Sequence, residues 1–373
     1  MDDGGVIGKM LHMSPAIPSK MKLGIVLGTR PEIIKMAPVV RECQRRRMDF
    51  FVLHTGQHYS YSMDKVFFND LELPGAEHNL EVGSGTHGVQ TGKILSGTEK
   101  VFMDERPNVV LVQGDTNTVM AAALSATKLG IKVGHVEAGL RSFDRSMPEE
   151  INRIIADHIS DYLFAPTEAS RRYLADEGIT NGVFVTGNTI VDAVFQAKDI
   201  AARRSNVLND LGLRPKDYIL ATAHRAENVD NRTRLEGMIE GMRKAGDELG
   251  MEVLFPMHPR TVGRVKEFDL SLDGIRVIEP VGFLDFLSLE SNAGLILSDS
   301  GGVQEEACIL GIPCVTLRDN TERPETIEVG ANMLAGAEPQ KILSAAKAMA
   351  GRQGWENPFG DGTASRQILD AII

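Results

Sequence analysis

The chain has 373 residues, 42% hydrophobic, 24% charged and 5% aromatic, with 51 Asp and Glu against 40 Lys and Arg for a formal net charge of −11. That length suggests about two domains, each with enough chain for a core, and a polyanion of this kind is a poor general binder of nucleic acid or of an anionic membrane surface. No apolar run approaches the roughly 20 residues that cross a bilayer, and three cysteines without CxxC or Cys/His spacing argue against a disulfide framework or structural zinc and fit a reducing cytoplasm.

Residues 1–20 carry Gly, Pro and Ser but lack the charged and apolar regions of a signal peptide, and read as a flexible extension ahead of Met21. From there short apolar runs alternate with helix-length amphipathic segments. Strands are expected over 22–27, 50–54, 109–113, 132–136, 162–165 and 183–186, with helices over 31–46, near 60–70, and over 87–104, 118–129 and 151–159. A mostly helical stretch over 190–209 follows. The alternation then restarts with strands over 218–222, 252–256, 275–278, 295–297 and 314–317. Uniformly apolar strands separated by crossover helices predict parallel sheets covered on both faces, an α/β class. The pattern reads as a first domain over 21–187, a second over 188–354 and a last segment, 355–373, long enough to return to the first. Two such sheets leave a cleft at the carboxyl ends of their strands, where open α/β folds bind ligands.

Two motifs do not fit their context. Gly83-Ser-Gly85-Thr-His-Gly88 matches a dinucleotide fingerprint, but the preceding AEHNLEV is too polar for a first Rossmann strand. Gly88 to Lys93 misses the phosphate-loop pattern, with one residue too few between the glycines and no Ser or Thr after the lysine.

Other residues sit where chemistry is expected. Arg30 and Lys35 follow the first strand through Gly28-Thr29-Arg30-Pro31-Glu32 and stand by a helix N-terminus, which already favours an anion. Asp115 follows the strand VVLVQ and Gly114, Glu137 follows Val136, and Glu149 opens a helix in Pro148-Glu149-Glu150; three carboxylates at one cleft edge suit proton transfer. Glu137 lies between His135 and Arg141, polar residues hard to justify there as core. His224 and Arg225 follow the strand over 218–222 and could meet a phosphate or donate a proton to a leaving group. Ser300, Gly301 and Gly302 open a helix after the strand over 295–297, letting backbone approach a diphosphate closely. Glu306, one turn on, could accept from ribose hydroxyls, and Arg323 is a further anion contact. Together these groups point to a sugar nucleotide or similar diphosphate and to proton transfer.

The stretches GTRPEIIKMAP, QGDTNTV, GHVEAGLRS, MPEEINR, GNTIVDA, SDSGGVQEEA and RDNTERPE closely resemble the non-hydrolysing UDP-N-acetylglucosamine 2-epimerases, from Met21 to the C-terminus. The resemblance implies the paired Rossmann-like architecture called GT-B with its active site in the interdomain cleft. It also implies a homodimer and interconversion of UDP-GlcNAc and UDP-ManNAc without metal, nicotinamide or other cofactor. It implies acid/base roles for Asp115, Glu137 and Glu149, leaving-group assistance by His224, and UDP contacts by Arg30, Lys35, Ser300, Gly301, Gly302, Glu306 and Arg323, with Phe286 beside the uracil. Some members bind a second UDP-GlcNAc as activator through the segment that here runs Thr55 to Ser60, where Gln57 matches. Three other chemistries fit related motifs: epimerisation of a modified sugar such as a 2,3-diacetamido-uronate, hydrolytic epimerisation, and GT-B glycosyl transfer.

Overall fold

The computed structural model describes residues 21–57 and 61–373, the side chains of 61–63 excepted; the extension read over 1–20 lies outside the described residues. The first sheet comprises β1 (Lys22–Leu27), β2 (Asp49–His54), β3 (His78–Asn79), β4 (Val109–Gln113), β5 (Lys132–Val136), β6 (Tyr162–Ala165) and β7 (Val183–Val185), in the order β3-β2-β1-β4-β5-β6-β7. The second comprises β8 (Tyr218–Thr222), β9 (Glu252–Pro256), β10 (Ile275–Ile278), β11 (Leu295–Ser298), β12 (Cys314–Thr316) and β13 (Asn332–Leu334), in the order β10-β9-β8-β11-β12-β13. Every pairing is parallel. The uninterrupted apolar runs follow from helices on both faces: Leu23, Ile25, Leu27 and Val26 of β1 are all buried although successive residues face opposite sides. Each such side chain withdrawn from water contributes about 1.5–3 kcal/mol before entropy is counted.

Strand order reverses at β1, flanked by β2 and β4, and again at β8, flanked by β9 and β11. Such switch points leave a crevice beyond the carboxyl ends of the strands. The turns that leave β1 at Gly28 and β8 at Ala223 therefore open where a ligand can reach backbone. In the first turn the Glu32 carboxyl accepts the N–H groups of Gly28 and Thr29 and, at 2.6 Å, the Thr116 hydroxyl. Burial outweighs these bonds and pushes that carboxyl up to about 7.

Gly28 is required by a close approach. A Cβ there would lie 2.1 Å from Thr118 Oγ1 and 2.5 Å from Thr55 Oγ1, two hydroxyls themselves hydrogen-bonded at 2.8 Å. Gly28→Ala is expected to destabilise the fold by about 1–3 kcal/mol through overpacking. A denaturant midpoint indistinguishable from the parent would refute this.

Four elements differ from the sequence reading. The edge strands β3 and β13 are two and three residues long and partly polar, so they carry no apolar run. The helix expected over 151–159 spans Pro148–Ile159, because Pro148 occupies the first turn, where an N–H has no intrahelical partner to lose. A nine-residue helix, Glu168–Asp176, buries only Ser170 and Leu174 and so showed no helical apolar stripe.

The Thr189–Arg204 helix bridges the halves. Its Ile190, Val191, Val194 and Ala197 share one core with β1 and the Arg30–Arg46 helix, and also with Phe283, Leu287 and Ile309. The C-terminal Ala364–Ile372 helix buries Ile368, Leu369 and Ile372 in that core. Its first amides, Ala364 and Ser365, donate to Asp192 at 3.2 and 2.9 Å. The outgoing and returning segments meet where Asn188 N–H donates to the Phe359 carbonyl at 2.8 Å. A Cβ on Gly360 (φ 116°) would come within 3.2 Å of Gly187 Cα, so the two backbones touch. Among the described residues no helix is long and apolar enough to cross a membrane.

Candidate active site

A cavity of about 260 Å³ opens at the carboxyl edge of the first sheet; Lys35, Asp115, Glu137 and Asn188 line it, with Glu305, Glu322 and Arg323 closing it from the second half. Glu137 is the first residue past β5 and has φ 68°, a left-handed backbone that non-glycine residues adopt at some cost. Side-chain contacts hold it there. The Glu137 carboxyl accepts Lys35 Nζ at 2.5 Å, Asn188 Nδ2 at 2.8 Å, and Gln113 Nε2. Burial pushes this carboxyl up, but the Lys35 ammonium more than offsets it, and Glu137 stays ionised below the usual carboxylate range. Lys35 is likewise drawn down by burial and restored above its ordinary value by Glu137.

Asp115 follows β4 through Gly114. Its carboxylate pairs with Arg153, and its carbonyl accepts Asn152 Nδ2 at 2.9 Å. Both partners come from the Pro148–Ile159 helix, so that helix fixes the turn after β4.

Beneath these two turns lies a network that corrects one expectation. His135 and Arg141 belong to the core, and they are satisfied there by Asp157. His135 Nδ1 meets the Asp157 carboxylate at 2.7 Å while Nε2 meets the Gly114 carbonyl at 2.8 Å. Two acceptors on two ring nitrogens require the imidazolium. Burial opposes that charge, yet Asp157 keeps the His135 pKa above its ordinary value. Arg141 pairs with Asp157 at 2.7 Å and with Glu177 at 2.7 Å, its side chain 1% exposed. The network carries Gly114, and with it Asp115.

In the second half, buried Asp299 organises the turn after β8. Its carboxylate accepts the N–H groups of His224 and Arg225 at 3.1 and 3.0 Å, and Asn228 Nδ2 at 3.1 Å. The His224 ring, 46% exposed, stands 3.4 Å from the same carboxylate. Ser300 is the N-cap of the Gly301–Leu310 helix, and a Cβ on Gly301 would stand 3.9 Å from Arg225 Nη2. Arg225 pairs with Glu322 at 3.6 Å, and Arg323 with Glu305 at 3.1 Å. Glu322 thus links the His224–Arg225 lip to the cavity. Gly302 is exposed, with nothing but the Ser300 hydroxyl near its Cβ position.

Of the residues singled out in the sequence, Lys35, Asp115, Glu137 and Arg323 line the cavity. Arg225 and Gly301 adjoin it through Glu322, the first paired with that carboxylate at 3.6 Å and the second with a Cβ position 3.7 Å from it, and His224, Ser300 and Gly302 are their chain neighbours. Arg30 opens the Arg30–Arg46 helix with its guanidinium 4.5 Å from the Phe67 ring and 6.0 Å from that of Phe283. Phe286 is half-buried, packed against the second-half core that includes Leu289 and Val303. Glu306 sits behind the lip, its carboxyl against Glu290. Glu149 falls elsewhere. It is exposed in the first turn of the Pro148–Ile159 helix, while Glu150 turns inward to accept the Ser142 and Phe143 amides at 3.0 Å. Glu149 and Gln57 line an adjoining cavity of about 200 Å³, which shares Asp115 and Thr116 with the first. The Gln57 side-chain oxygen there accepts Thr118 N–H at 2.9 Å. Residues 58–60 of that motif lie outside the described residues.

Gln113, Asn188 and Arg153, which hold the two carboxylates, were not among the expected site residues. They stand in the quoted stretches QGDTNTV, GNTIVDA and MPEEINR, and their roles become visible only when the strand ends converge. Among the described residues no group of three or more His, Cys, Asp or Glu is arranged to hold a metal ion.

The family model described as UDP-N-acetylglucosamine 2-epimerase matches residues 41–373. A UDP-N-acetylglucosamine 2-epimerase of Methanocaldococcus jannaschii is 56% identical over 359 residues, covering 94% of this chain and 98% of the relative. A crystal structure of a UDP-GlcNAc 2-epimerase from the same organism with UDP-GlcNAc and UDP superposes with a TM-score of 0.80 at 55% identity, covering 94% of this chain and 99% of that one. A UDP-2,3-diacetamido-2,3-dideoxy-D-glucuronate 2-epimerase of Pseudomonas aeruginosa is 40% identical, covering 94% of this chain and 99% of the relative. With the cleft, its carboxyl groups and its cationic rim in place, the chain belongs to the UDP-N-acetylglucosamine 2-epimerase family.

Proposed function

We propose that the protein interconverts UDP-GlcNAc and UDP-ManNAc at C2 without releasing the nucleotide. The observation that carries this reading is the pair of carboxyl groups, Glu137 and Asp115, each held by a cation at one cavity. The C2 proton of a pyranose has no adjacent carbonyl to acidify it. Elimination solves this: the C1–O bond breaks with its electrons going to UDP, a carboxylate takes the C2 proton, and 2-acetamidoglucal remains. Return of a proton to the opposite face of C2, with attack of the diphosphate oxygen on C1, yields the other epimer.

Inversion at C2 needs proton donors and acceptors on both faces of the sugar. Asp115, between the cavity of Glu137 and that of Glu149, suits a group shared by the two faces. Lys35, Arg323 and the N-terminus of the Gly301–Leu310 helix would stabilise the departing diphosphate electrostatically, His224 would assist it from the exposed lip, and the Arg225 guanidinium would bind it. Family membership further supports a homodimer. Three free, buried cysteines, Cys43, Cys308 and Cys314, support a reducing cytoplasm.

A proton NMR time course with UDP-GlcNAc in deuterated water tests the reaction. The expected product is UDP-ManNAc carrying deuterium at C2 with the nucleotide attached. Free UDP with free ManNAc would replace this reading by the hydrolytic one. The Pseudomonas relative favours a second reading, a modified sugar; an inert UDP-GlcNAc alongside turnover of a UDP-2,3-diacetamido-uronate would establish it.

A further inference from the structure

Glu290 lies on the Phe283–Asn292 helix, fully shielded from solvent, and neither of its carboxyl oxygens receives a hydrogen bond from a nitrogen or hydroxyl donor among the described residues. What faces it is a second carboxyl, Glu306 of the Gly301–Leu310 helix. Two carboxyls in contact, one of them wholly shielded from water, cannot both ionise readily, so they share a proton. The surroundings decide which one keeps it. Burial pushes Glu290 well up, and among the described residues no cation stands against it; Tyr218 of β8 and Cys314 of β12, also beside it, are themselves pushed up by burial and neutral. Burial raises Glu306 too, and Glu305 on its own helix adds to this, but Arg30 and Lys35 of the Arg30–Arg46 helix favour its charged form. Glu306 still ends raised, to about 7, so it is the member of the pair that gives up its proton as pH rises through that value, while Glu290 keeps its own.

We propose that Glu290 is a positioning residue: as a neutral acid it donates its single O–H to the Glu306 carboxylate and holds that carboxylate turned toward the ribose hydroxyls of the bound nucleotide. This rests on the reading of Glu306 as the ribose contact. It explains why a carboxylic acid occupies a site where leucine would pack without cost: only a protonated acid or an amide offers a donor there. Nucleotide affinity then falls on acidification, as Glu306 takes up a proton and ceases to be a pure acceptor.

Calorimetric titration of the full-length protein with UDP at several pH values tests this. Glu290→Leu removes the donor; affinity at neutral pH is expected to fall about tenfold, and the acid limb of the affinity profile to move about one pH unit upward, as for one lost hydrogen bond to a charged group. Glu290→Gln, which keeps a donor, is expected to recover most of the affinity. Infrared difference spectra at neutral pH supply a readout independent of the leucine variant's folding. The wild-type protein should show the C=O stretch of a protonated carboxyl that Glu290→Gln lacks. Absence of that band, or a leucine variant that binds UDP with the wild-type affinity and pH profile, would overturn the role of Glu290. Glu306→Gln separates the underlying reading: undiminished UDP binding in that variant would remove Glu306 from the nucleotide site, whatever Glu290 does.

Discussion

Glu137→Gln is expected to lower the turnover of UDP-GlcNAc by about 10²–10⁴-fold, the range of a lost acid/base group, while UDP binding is retained or tightened. The substitution keeps the shape of the side chain; its amide oxygen can still accept Asn188 Nδ2, and its NH2 can donate to Gln113 once that amide turns its oxygen inward, so the left-handed turn at φ 68° persists. What disappears is the negative charge. Lys35, now paired with Glu137 at 2.5 Å, is left with its charge free to meet a diphosphate. Measurement of kcat beside a calorimetric Kd for UDP separates this from a structural role. If Glu137 served only as counter-ion to Lys35, stability would fall while turnover stayed near the parent, and a kcat within about threefold of the parent would exclude it from the chemistry.

Asp157→Ala is expected to destabilise the protein by about 3–5 kcal/mol, because it leaves two buried cations, His135 and Arg141, without their shared counter-ion. The effect depends on pH. The folded pKa of His135 is raised, so its contribution is complete below its unfolded value near about 6.5 and is lost as pH rises through the folded value. Burial works against the Asp157 charge, but His135 and Arg141 depress its folded pKa, so its contribution is present above about 3.9 and lost as pH falls through the folded value. Denaturant titrations of parent and variant should therefore differ most between those limits. A difference below about 1 kcal/mol at pH 6 would show that the network adds little.

The parallel sheets were legible because doubly covered strands are apolar at every position, as in VVLVQ, and no other common element reads that way at that length. β3 and β13 were not, since sheet edges of two or three residues need no such run. Asp115, Glu137 and Lys35 could be picked out because each follows a strand end directly or sits one turn beyond it. Gln113 and Asn188 are neutral amides, 75 residues apart in sequence, whose common partner exists only after folding. Glu290 stands in Ser-Leu-Glu-Ser-Asn with no motif around it; its neighbour Glu306 comes from another helix. Glu149 looked like a third carboxylate at one edge because position along the chain does not say which side of Asp115 a helix will present.

The contact between Asn188 and Phe359 has a mechanical consequence. The outgoing and returning backbones meet there, so a hinge placed at that meeting would let the two halves swing without stretching either connection. Asn188 and Phe359 both line the cavity, so such a hinge would lie against the site itself. Asn188 also donates to Glu137. A swing that narrows the cleft over a bound sugar would thus be felt directly by the carboxylate beneath it, tying the orientation of that group to whether the mouth is open or shut.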